Sequence, residues 1–264
     1  MTIEQDYYEN GEFWIHGALL PEDLARMEFI VRAIPTDARS LLDVGCGNGA
    51  FLEHLRVSRP DIEILHGAER SGAALQHVAV PHTQASIDSL PFPDQSFDCV
   101  TCLEVIEHLP TPIYTRALLE LMRVSRRYLI VTVPREQDLT LGQVQCTVCK
   151  TLFNPDYHLR SFDQRSMIEL FGAGPFLPRG VSAFGDGTEY AFSRLITRLK
   201  RDRGNRFPQD IPCPACGTKL KGRPGAQMTP VTRSGGGVTS TIKALWPKRR
   251  EQRWLLARYD RITA

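Results

Sequence analysis

The chain has 264 residues, 42% of them hydrophobic and 23% charged, which is enough to bury one sizeable core and leave residues for an appendage. No apolar run approaches the roughly 18 residues that a membrane-spanning helix needs, so the composition excludes a helical integral membrane protein. The first ten residues are acidic and polar, unlike a secretory signal. Four of the seven cysteines form two Cys-x-x-Cys pairs, which have the spacing of metal ligands. Together these features predict a cytoplasmic protein.

The net charge of +2 conceals a strong asymmetry between the two parts of the chain. Residues 1–193 carry 15 Lys and Arg against 26 Asp and Glu, whereas residues 194–264 carry 17 against 4. Such a split is typical of a basic tail that meets a polyanion, and equally of a solvated tail that neutralises its own acidic domain.

The hydrophobic pattern predicts an N-terminal helical extension, residues 1–36, with a helix over 21–33, followed by alternating strands and helices over 37–200. Strands are predicted at 41–44, 62–67, 97–103, 128–133 and 180–184, and helices at 50–55, 73–78, 114–124 and 164–171. This order predicts an α/β fold with a doubly wound, mostly parallel sheet. Residues 223–240, which contain three consecutive glycines, are predicted to form a flexible linker.

A glycine-rich turn, Asp43-Val44-Gly45-Cys46-Gly47-Asn48-Gly49, separates the first predicted strand from the first helix of the sheet. Small residues let the backbone approach a ligand there, and the helix N-terminus offers free N–H groups. By itself the turn also suits a dinucleotide. The glycine spacing departs from G-x-G-x-x-G, however, and Glu69 ends the second strand, where a carboxylate can accept both ribose hydroxyls.

Downstream, Ser86-Ile87-Asp88-Ser89-Leu90-Pro91-Phe92 leads into Ser96-Phe97-Asp98. In combination with the glycine turn and Glu69, this segment resembles the class I S-adenosylmethionine-dependent methyltransferases, in the type 11 or ubiquinone-pathway branch. The resemblance runs from about residue 7 to residue 192. It implies a seven-stranded Rossmann-like sheet and S-adenosylmethionine as cofactor.

The resemblance also implies a role for each matching residue. The cofactor-binding residues it indicates are Asp43, Gly45, Cys46, Gly47, Asn48 and Gly49 in the loop, Glu69 at the ribose, Arg70, Ser86 and Ile87 at the adenine, and Leu103 at the methionine end. Many relatives have Asp where this chain has Ser86, so the adenine contact here is expected to be weaker or to come from the backbone.

The third clear strand is followed by Glu104-Val105-Ile106-Glu107-His108. In a helix, Glu104, Glu107 and His108 share one face and suit a divalent ion such as Mg²⁺, which lowers the pKa of a bound hydroxyl. The pattern is similar to that of metal-dependent small-RNA 2′-O-methyltransferases and quinone-pathway O-methyltransferases, and His158 is placed like the further histidine of those families. Two alternatives stand beside this: a backbone-orienting role without metal, and His158 or His108 acting alone as general base.

Two Cys-x-x-Cys pairs have the spacing of zinc knuckles. One, Cys146 and Cys149, is inserted in the methyltransferase domain at 142–157; the other, Cys213 and Cys216, belongs to 201–222. We predict that the two pairs meet from separate excursions and share one structural zinc ion, in a zinc-ribbon-like element over the acceptor pocket. Unpaired surface cysteines and a redox pair are the alternatives.

Residues 241–264 mix apolar and basic side chains: Leu245, Trp246, Trp254, Leu255, Leu256 and Tyr259 with Lys248, Arg249, Arg250, Arg253, Arg258 and Arg261. We predict a basic, aromatic helix here. It would rest on anionic lipid at the inner membrane surface, grip nucleic acid, or fold back on the protein and bury its two tryptophans.

These features predict transfer of a methyl group to an oxygen of a small-molecule or glycan or glycolipid acceptor. An RNA methyltransferase is the first alternative, since the knuckles, the E-x-x-E-H pattern and the basic tail suit RNA. A catalytically silent cofactor-binding scaffold or sensor is the second. The identity of the acceptor and the oligomeric state have no signal in the sequence.

Overall fold

The computed structural model describes residues 8–9, 11–14, 20–140, 143–172, 174–190, 210–222 and 248–262, and the predicted linker at 223–240 lies outside them. The helices of this part are α1 Gly11–Trp14, α2 Pro21–Ala33, α3 Ala50–Ser58, α4 Gly72–Leu75, α5 Thr111–Val124 and α6 Gln164–Glu169. The strands are β1 Ser40–Val44, β2 Ile64–Glu69, β3 His82–Gln84, β4 Phe97–Leu103, β5 Ser125–Pro134, β6 Val144–Gln145, β7 Leu152–Phe153, β8 Phe176–Tyr190, β9 Ile211–Pro212, β10 Lys219–Leu220 and β11 Lys248–Arg261.

Seven strands form one sheet in the order β3-β2-β1-β4-β5-β11-β8. The pairs among β1 to β5 are parallel, and β11 lies antiparallel to both β5 and β8. This confirms the predicted α/β fold with a doubly wound, mostly parallel, seven-stranded sheet. The predicted first helix, 21–33, has the bounds of α2.

Both faces of the sheet are buried, because successive side chains of its central strands enter two different cores. In β5, Leu129 and Val131 pack in one core with α5 and α6, whereas Tyr128 and Ile130 pack in the other with α2 and α3. Strands buried on both faces are continuous apolar runs, which is why the sequence pattern located them.

The C-terminal segment is a strand, so the prediction of a basic, aromatic helix at 241–264 is wrong for its described residues. Strand β11 lies between β5 and β8, with Leu255, Ala257 and Tyr259 in one core and Leu256 in the other. The physical reason is that four consecutive apolar residues beginning at Trp254 satisfy a strand covered on both faces. These side chains are therefore not available to a lipid surface, whereas Leu245 and Trp246 lie outside the described residues.

The topology also explains how two distant segments of the chain can meet: the first excursion, which contains β6 and β7, and the second excursion, which contains β9 and β10. Because β11 is antiparallel to both neighbours, β8 runs parallel to β5, and both strands end at the edge of the sheet where β1, β2 and β4 end. The hairpin β6–β7 follows β5, and the hairpin β9–β10 lies between β8 and β11 in the chain. Among the described residues, no helix is both long and apolar enough to cross a membrane.

Candidate functional site

At two positions in the loop between β1 and α3, the backbone conformation and the close neighbours leave room only for glycine. Gly45 and Gly47 have positive φ angles of 77° and 53°. A Cβ on Gly45 would lie 2.5 Å from Cγ2 of Val105, and one on Gly47 would lie 2.9 Å from the ring of Trp14. The loop is therefore pressed closely between its neighbours, and its glycines cannot be exchanged for larger residues without displacement.

Glu69, at the end of β2, fastens this loop to the next one. One carboxylate oxygen accepts a hydrogen bond from the backbone N–H of Gly47 at 3.1 Å. The other accepts from the N–H groups of Arg70 and Ser71 at 2.7 and 2.9 Å. The carboxylate is thus fixed beside the glycine loop, at the position predicted to hold the ribose.

A cavity of about 490 Å³ lies beside the loop. Its walls are one side of α2, the β1–α3 loop with the first turn of α3, and the end of β4. Of the predicted cofactor residues, those that line it are Asp43, Gly45, Cys46, Asn48 and Leu103. The cavity thus collects the residues predicted for the loop and the methionine end of the cofactor.

The remaining predicted cofactor residues lie along the neighbouring strand ends. Ser86 donates a hydrogen bond to Asp88, which is also paired with Arg116, and Ile87 is buried in the core that contains α5. The backbone carbonyl of Arg70 accepts a hydrogen bond from Gln84. Their predicted contact with the adenine stays a prediction.

Asp43 is the only carboxylate of the cavity that comes from a sheet strand, and it is 2% exposed. Its Oδ1 accepts a hydrogen bond of 2.7 Å from the hydroxyl of Thr101. Burial, with a smaller contribution from the charge of Glu69, raises the pKa of Asp43 to about 7. The cavity therefore contains a carboxyl group that loses its proton near neutral pH, and a cationic ligand favours that loss.

Arg26 of α2 lies in the wall of the cavity, although the sequence did not single it out. Its guanidinium lies 5.4 Å from the ring centroid of Trp254, and its Nε is buried without a hydrogen-bond partner in the described part of the chain. An unpaired buried N–H is costly, so it is suited to an anionic ligand group. Helical periodicity alone places Arg26 on α2 without showing what it faces.

Residues near the N-terminus lie across the loop. The ring of Trp14 packs on Gly47, and its backbone carbonyl accepts a hydrogen bond of 3.2 Å from the side chain of Asn48. The carbonyl of Tyr8 accepts from the hydroxyl of Ser71 at 2.8 Å. The ring of Tyr8 also lies 6.3 Å from that of His108, so this segment connects the cofactor loop to the predicted catalytic residues.

The segment after β4 is a single 3-10 turn, Ile106–His108, and not an α-helix. The expectation that Glu104, Glu107 and His108 share a helix face is therefore wrong. Glu104 has a φ of 57° and lines the cavity, whereas Glu107, His108 and His158 form a separate group with one ligand atom each, all within 4.8 Å of one another. The structure thus brings together three of the four residues predicted for the divalent ion.

This group contains an unsatisfied buried carboxylate. Glu107 is 0% exposed, and neither of its carboxylate oxygens has a hydrogen-bond partner among the described residues. Burial and the nearby charge of Glu104 raise the pKa of Glu107. Burial lowers the pKa of His108 to about 3 and that of His158 to about 4, so both imidazoles are neutral near pH 7. Neutral imidazoles and a carboxylate are ligands for a divalent cation.

The four knuckle cysteines also come together. The Sγ atoms of Cys146, Cys149, Cys213 and Cys216 all lie within 4.8 Å of one another, and none is in a disulfide. The other three cysteines, Cys46, Cys99 and Cys102, are buried in the strands or the loop.

Part of the chain is similar to known methyltransferases. Residues 18–173 match a family model described as a methyltransferase domain. The ubiquinone biosynthesis O-methyltransferase of Alkalilimnicola ehrlichii is 35% identical over 98 residues, which are 33% of this chain and 38% of the relative. That of Hydrogenovibrio crunogenus is 30% identical over 111 residues, 39% of this chain and 45% of the relative. The chain thus spans less than half the length of these relatives.

Solved structures show the same fold. The YcgJ protein of Bacillus subtilis aligns with 91% of this chain and 99% of its own, with a TM-score of 0.52 and 13% identity. Magnesium protoporphyrin IX methyltransferase of Synechocystis, solved with bound SAH, aligns with 69% of this chain and 91% of its own, with a TM-score of 0.52 and 16% identity. At these identities the likeness concerns the fold.

Proposed function

The chain belongs to the methyltransferase domain family, and on that premise we propose that it transfers the methyl group of S-adenosylmethionine to an oxygen of a small-molecule acceptor. The observation that carries this proposal is the cavity beside the glycine loop, whose wall includes Glu104, three residues before Glu107 of the buried group of Glu107, His108 and His158. The names of the relatives, ubiquinone biosynthesis O-methyltransferases, support an oxygen as the acceptor atom.

The cofactor part of the proposal rests on charge and shape. S-adenosylmethionine has a carboxylate, an ammonium group and a sulfonium, and the cavity offers a group of opposite sign for each kind of charge. Arg26 offers the carboxylate a buried N–H that has no hydrogen-bond partner among the described residues, and Asp43 attracts the positive charges. Glu69, fixed beside the loop, is suited to accept the ribose hydroxyls.

The acceptor part rests on the group of three residues after β4. An acceptor hydroxyl must lose its proton as the new bond to the methyl carbon forms, and a neutral imidazole of His108 or His158 can take it. The reaction is an in-line displacement, so the chain's main contribution is to hold the acceptor oxygen behind the methyl group. The ring of Tyr8 lies edge-on to that of His108 at this end of the site, with 6.3 Å between the centroids.

A divalent ion fits the same group, because Glu107 is buried and its carboxylate oxygens have no hydrogen-bond partner in the part of the chain that the structure describes. When bound, such an ion would lower the pKa of the acceptor hydroxyl. With Glu104 outside the group, the donors are two imidazoles and one carboxylate. That set favours a first-row transition ion over Mg²⁺, which prefers oxygen ligands.

The support for a glycolipid acceptor is weaker than the sequence indicated. That idea rested on a tail seeking the membrane, and the described part of the tail is the interior strand β11. The acceptor in this proposal is therefore a small molecule without a required lipid anchor.

The test uses radiolabelled S-adenosylmethionine, the full chain and a cell extract divided into metabolite, lipid, RNA and protein fractions. We expect label in the metabolite fraction. Ribonuclease-sensitive label in RNA would overturn the acceptor class, and the absence of both label transfer and S-adenosylhomocysteine release would favour a silent scaffold.

A second experiment tests the buried group. Glu107→Gln should lower turnover by about 100-fold or more, since it removes the only carboxylate of the group. Glu63→Gln, at an exposed position, is the matched control and should leave turnover unchanged. Full activity of the unmodified chain in a strong chelator would exclude metal-assisted transfer and leave the imidazoles as the bases.

A further inference from the structure

We propose that Cys146, Cys149, Cys213 and Cys216 hold one Zn²⁺ ion, and that this ion fixes His158 against Glu107 and His108 by tying the two excursions of the chain together. The zinc site stands on its own observations. The positioning of His158 deepens the proposed function and rests on it.

The two knuckles have the same backbone structure although 67 positions separate them. In the first, the N–H of Cys146 donates to the carbonyl of Thr151 at 2.9 Å and the N–H of Lys150 donates to the carbonyl of Cys146 at 3.2 Å. In the second, Cys213 and Gly217 make the equivalent bonds, both at 2.9 Å. Two copies of one local structure that face each other form a site of approximate twofold symmetry.

The repetition extends to the details of each knuckle. The residue after the second cysteine has a left-handed backbone in both, with φ of 64° at Lys150 and 72° at Gly217. The next residue is a threonine whose hydroxyl oxygen lies 3.2 Å from the sulfur of that cysteine, Thr151 in one knuckle and Thr218 in the other. Each knuckle also joins a two-stranded hairpin, β6–β7 or β9–β10.

The sulfur geometry suits a tetrahedral zinc ion. Each of the two sulfurs of one knuckle lies 3.6 Å from a sulfur of the other, in the pairs Cys146–Cys216 and Cys149–Cys213. A tetrahedral site with Zn–S bonds of about 2.3 Å requires sulfur atoms about 3.8 Å apart. A disulfide requires about 2.05 Å, so the observed spacing is that of metal ligands.

A small core beside the sulfurs makes the two knuckles one unit. Phe153 and Tyr157 from the first excursion pack with Ile211 and Leu220 from the second. The hydroxyl of Tyr157 donates a hydrogen bond of 2.7 Å to the carbonyl of Pro212. This core is too small to hold two excursions together by itself, so the ion supplies most of their attachment.

The unit reaches the proposed acceptor site through consecutive residues. Tyr157 immediately precedes His158, whose ring lies 4.5 Å from that of His108. The N–H of Leu159 donates to the carbonyl of Glu107 at 2.8 Å, so the chain beside His158 is hydrogen-bonded to the 3-10 turn. His158 is thus held between the zinc unit on one side and the turn on the other.

The first experiment measures zinc in the full chain, purified without added metal, by elemental analysis. We expect about one zinc per chain, and cobalt substitution should give the visible bands of a tetrahedral thiolate site. The double variant Cys213→Ser with Cys216→Ser should lose this ion. Less than about a tenth of an equivalent in the unmodified chain, or a pair of disulfides, would overturn the proposal.

The second experiment follows the imidazoles by NMR with nitrogen-labelled histidine, which requires no acceptor and no turnover. In the double cysteine variant the ring signals of His108 and His158 should shift or broaden, whereas that of His54, on the exposed face of α3, should not move. His158→Gln supplies the assignment.

Tyr157→Phe separates positioning from metal binding, since it leaves all four cysteines in place. It should retain one zinc and perturb the signal of His158, because it removes the hydrogen bond to Pro212. Tyr128→Phe, which removes a hydroxyl bonded to Asp37 far from the knuckles, is the matched control. Unchanged histidine signals in both the double cysteine variant and Tyr157→Phe would refute the positioning, while the zinc content would still decide the metal site.

Discussion

Asp43 offers the sharpest test of the cofactor site, because its burial has a consequence for stability that can be measured without a substrate. Its pKa in the folded chain is about 7, against an ordinary value of 3.8. Between about pH 4 and pH 7, the folded state therefore keeps a proton on Asp43 that the unfolded state has already released. The stability that this proton supports is present at low pH and is lost as the pH rises through about 7.

The magnitude follows from the shift. One pKa unit corresponds to about 1.36 kcal/mol, so the shift amounts to about 4 kcal/mol between the two ends of this range. Asp43→Asn keeps an acceptor for the hydroxyl of Thr101 but does not titrate. The free energy of unfolding of the unmodified chain, minus that of Asp43→Asn, should therefore fall by about 4 kcal/mol between about pH 4 and pH 7 and stay level above about pH 8.

The assay is urea unfolding of both proteins across this range. Titrations elsewhere, including the histidines and the knuckle cysteines, occur in both proteins and cancel in the difference. Glu69→Gln should move the midpoint of the fall to lower pH, since the charge of Glu69 raises the pKa of Asp43. A difference that does not change with pH would refute the reasoning. Binding calorimetry provides a second test of the same titration. The affinity for S-adenosylmethionine should rise as the pH rises through about 7, and Asp43→Asn should lack this rise.

Three further predictions concern the cavity and the sheet. Arg26→Met should weaken binding of S-adenosylmethionine by about 10- to 100-fold in calorimetry, with Arg26→Lys intermediate, because a charge-assisted hydrogen bond contributes about 1.5–3 kcal/mol; an unchanged affinity would contradict the carboxylate role. Gly45→Ala should lower stability in urea by about 2–4 kcal/mol, from the positive φ and the contact with Val105, and Val105→Ala should restore part of it. Deleting 248–264 removes β11 from the interior of the sheet and should abolish cooperative unfolding, so a truncated chain that still unfolds cooperatively would contradict the topology.

Much of the site could be read from the sequence, because its parts depend on local geometry. The positive φ angles at Gly45 and Gly47 require glycine, and a carboxylate at the end of β2 faces the loop in any parallel sheet of this order. The Cys-x-x-Cys spacing likewise defines a knuckle wherever it stands in the fold. Each of these features is set within a few residues, so the sequence alone indicates where it lies, while its role in binding a cofactor or a metal stays a prediction.

The two predictions that were wrong, the C-terminal helix and the shared helix face after β4, concern structure that depends on distant parts of the chain. The run from Trp254 to Tyr259 suits a helix or a doubly covered strand, and only the unfilled place between β5 and β8 decides for the strand. The spacing of Glu104 and Glu107 places them together only in a helix. The chain instead leaves β4 through a left-handed residue, Glu104, and a 3-10 turn, so that Glu104 lines the cavity and Glu107 does not.

The sequence by itself indicated the succession of strands and helices along the chain, the glycine-rich loop and the two cysteine knuckles, since propensity, periodicity and spacing are local properties. The tertiary structure decided which of these parts meet. Because β8 runs parallel to β5, both excursions leave the same edge of the sheet, and four sulfurs from sites 67 positions apart come to within 4.8 Å of one another. The tertiary structure also places His158 beside His108, and Arg26 in the wall of the cavity beside the glycine loop, contacts that no spacing along the chain encodes.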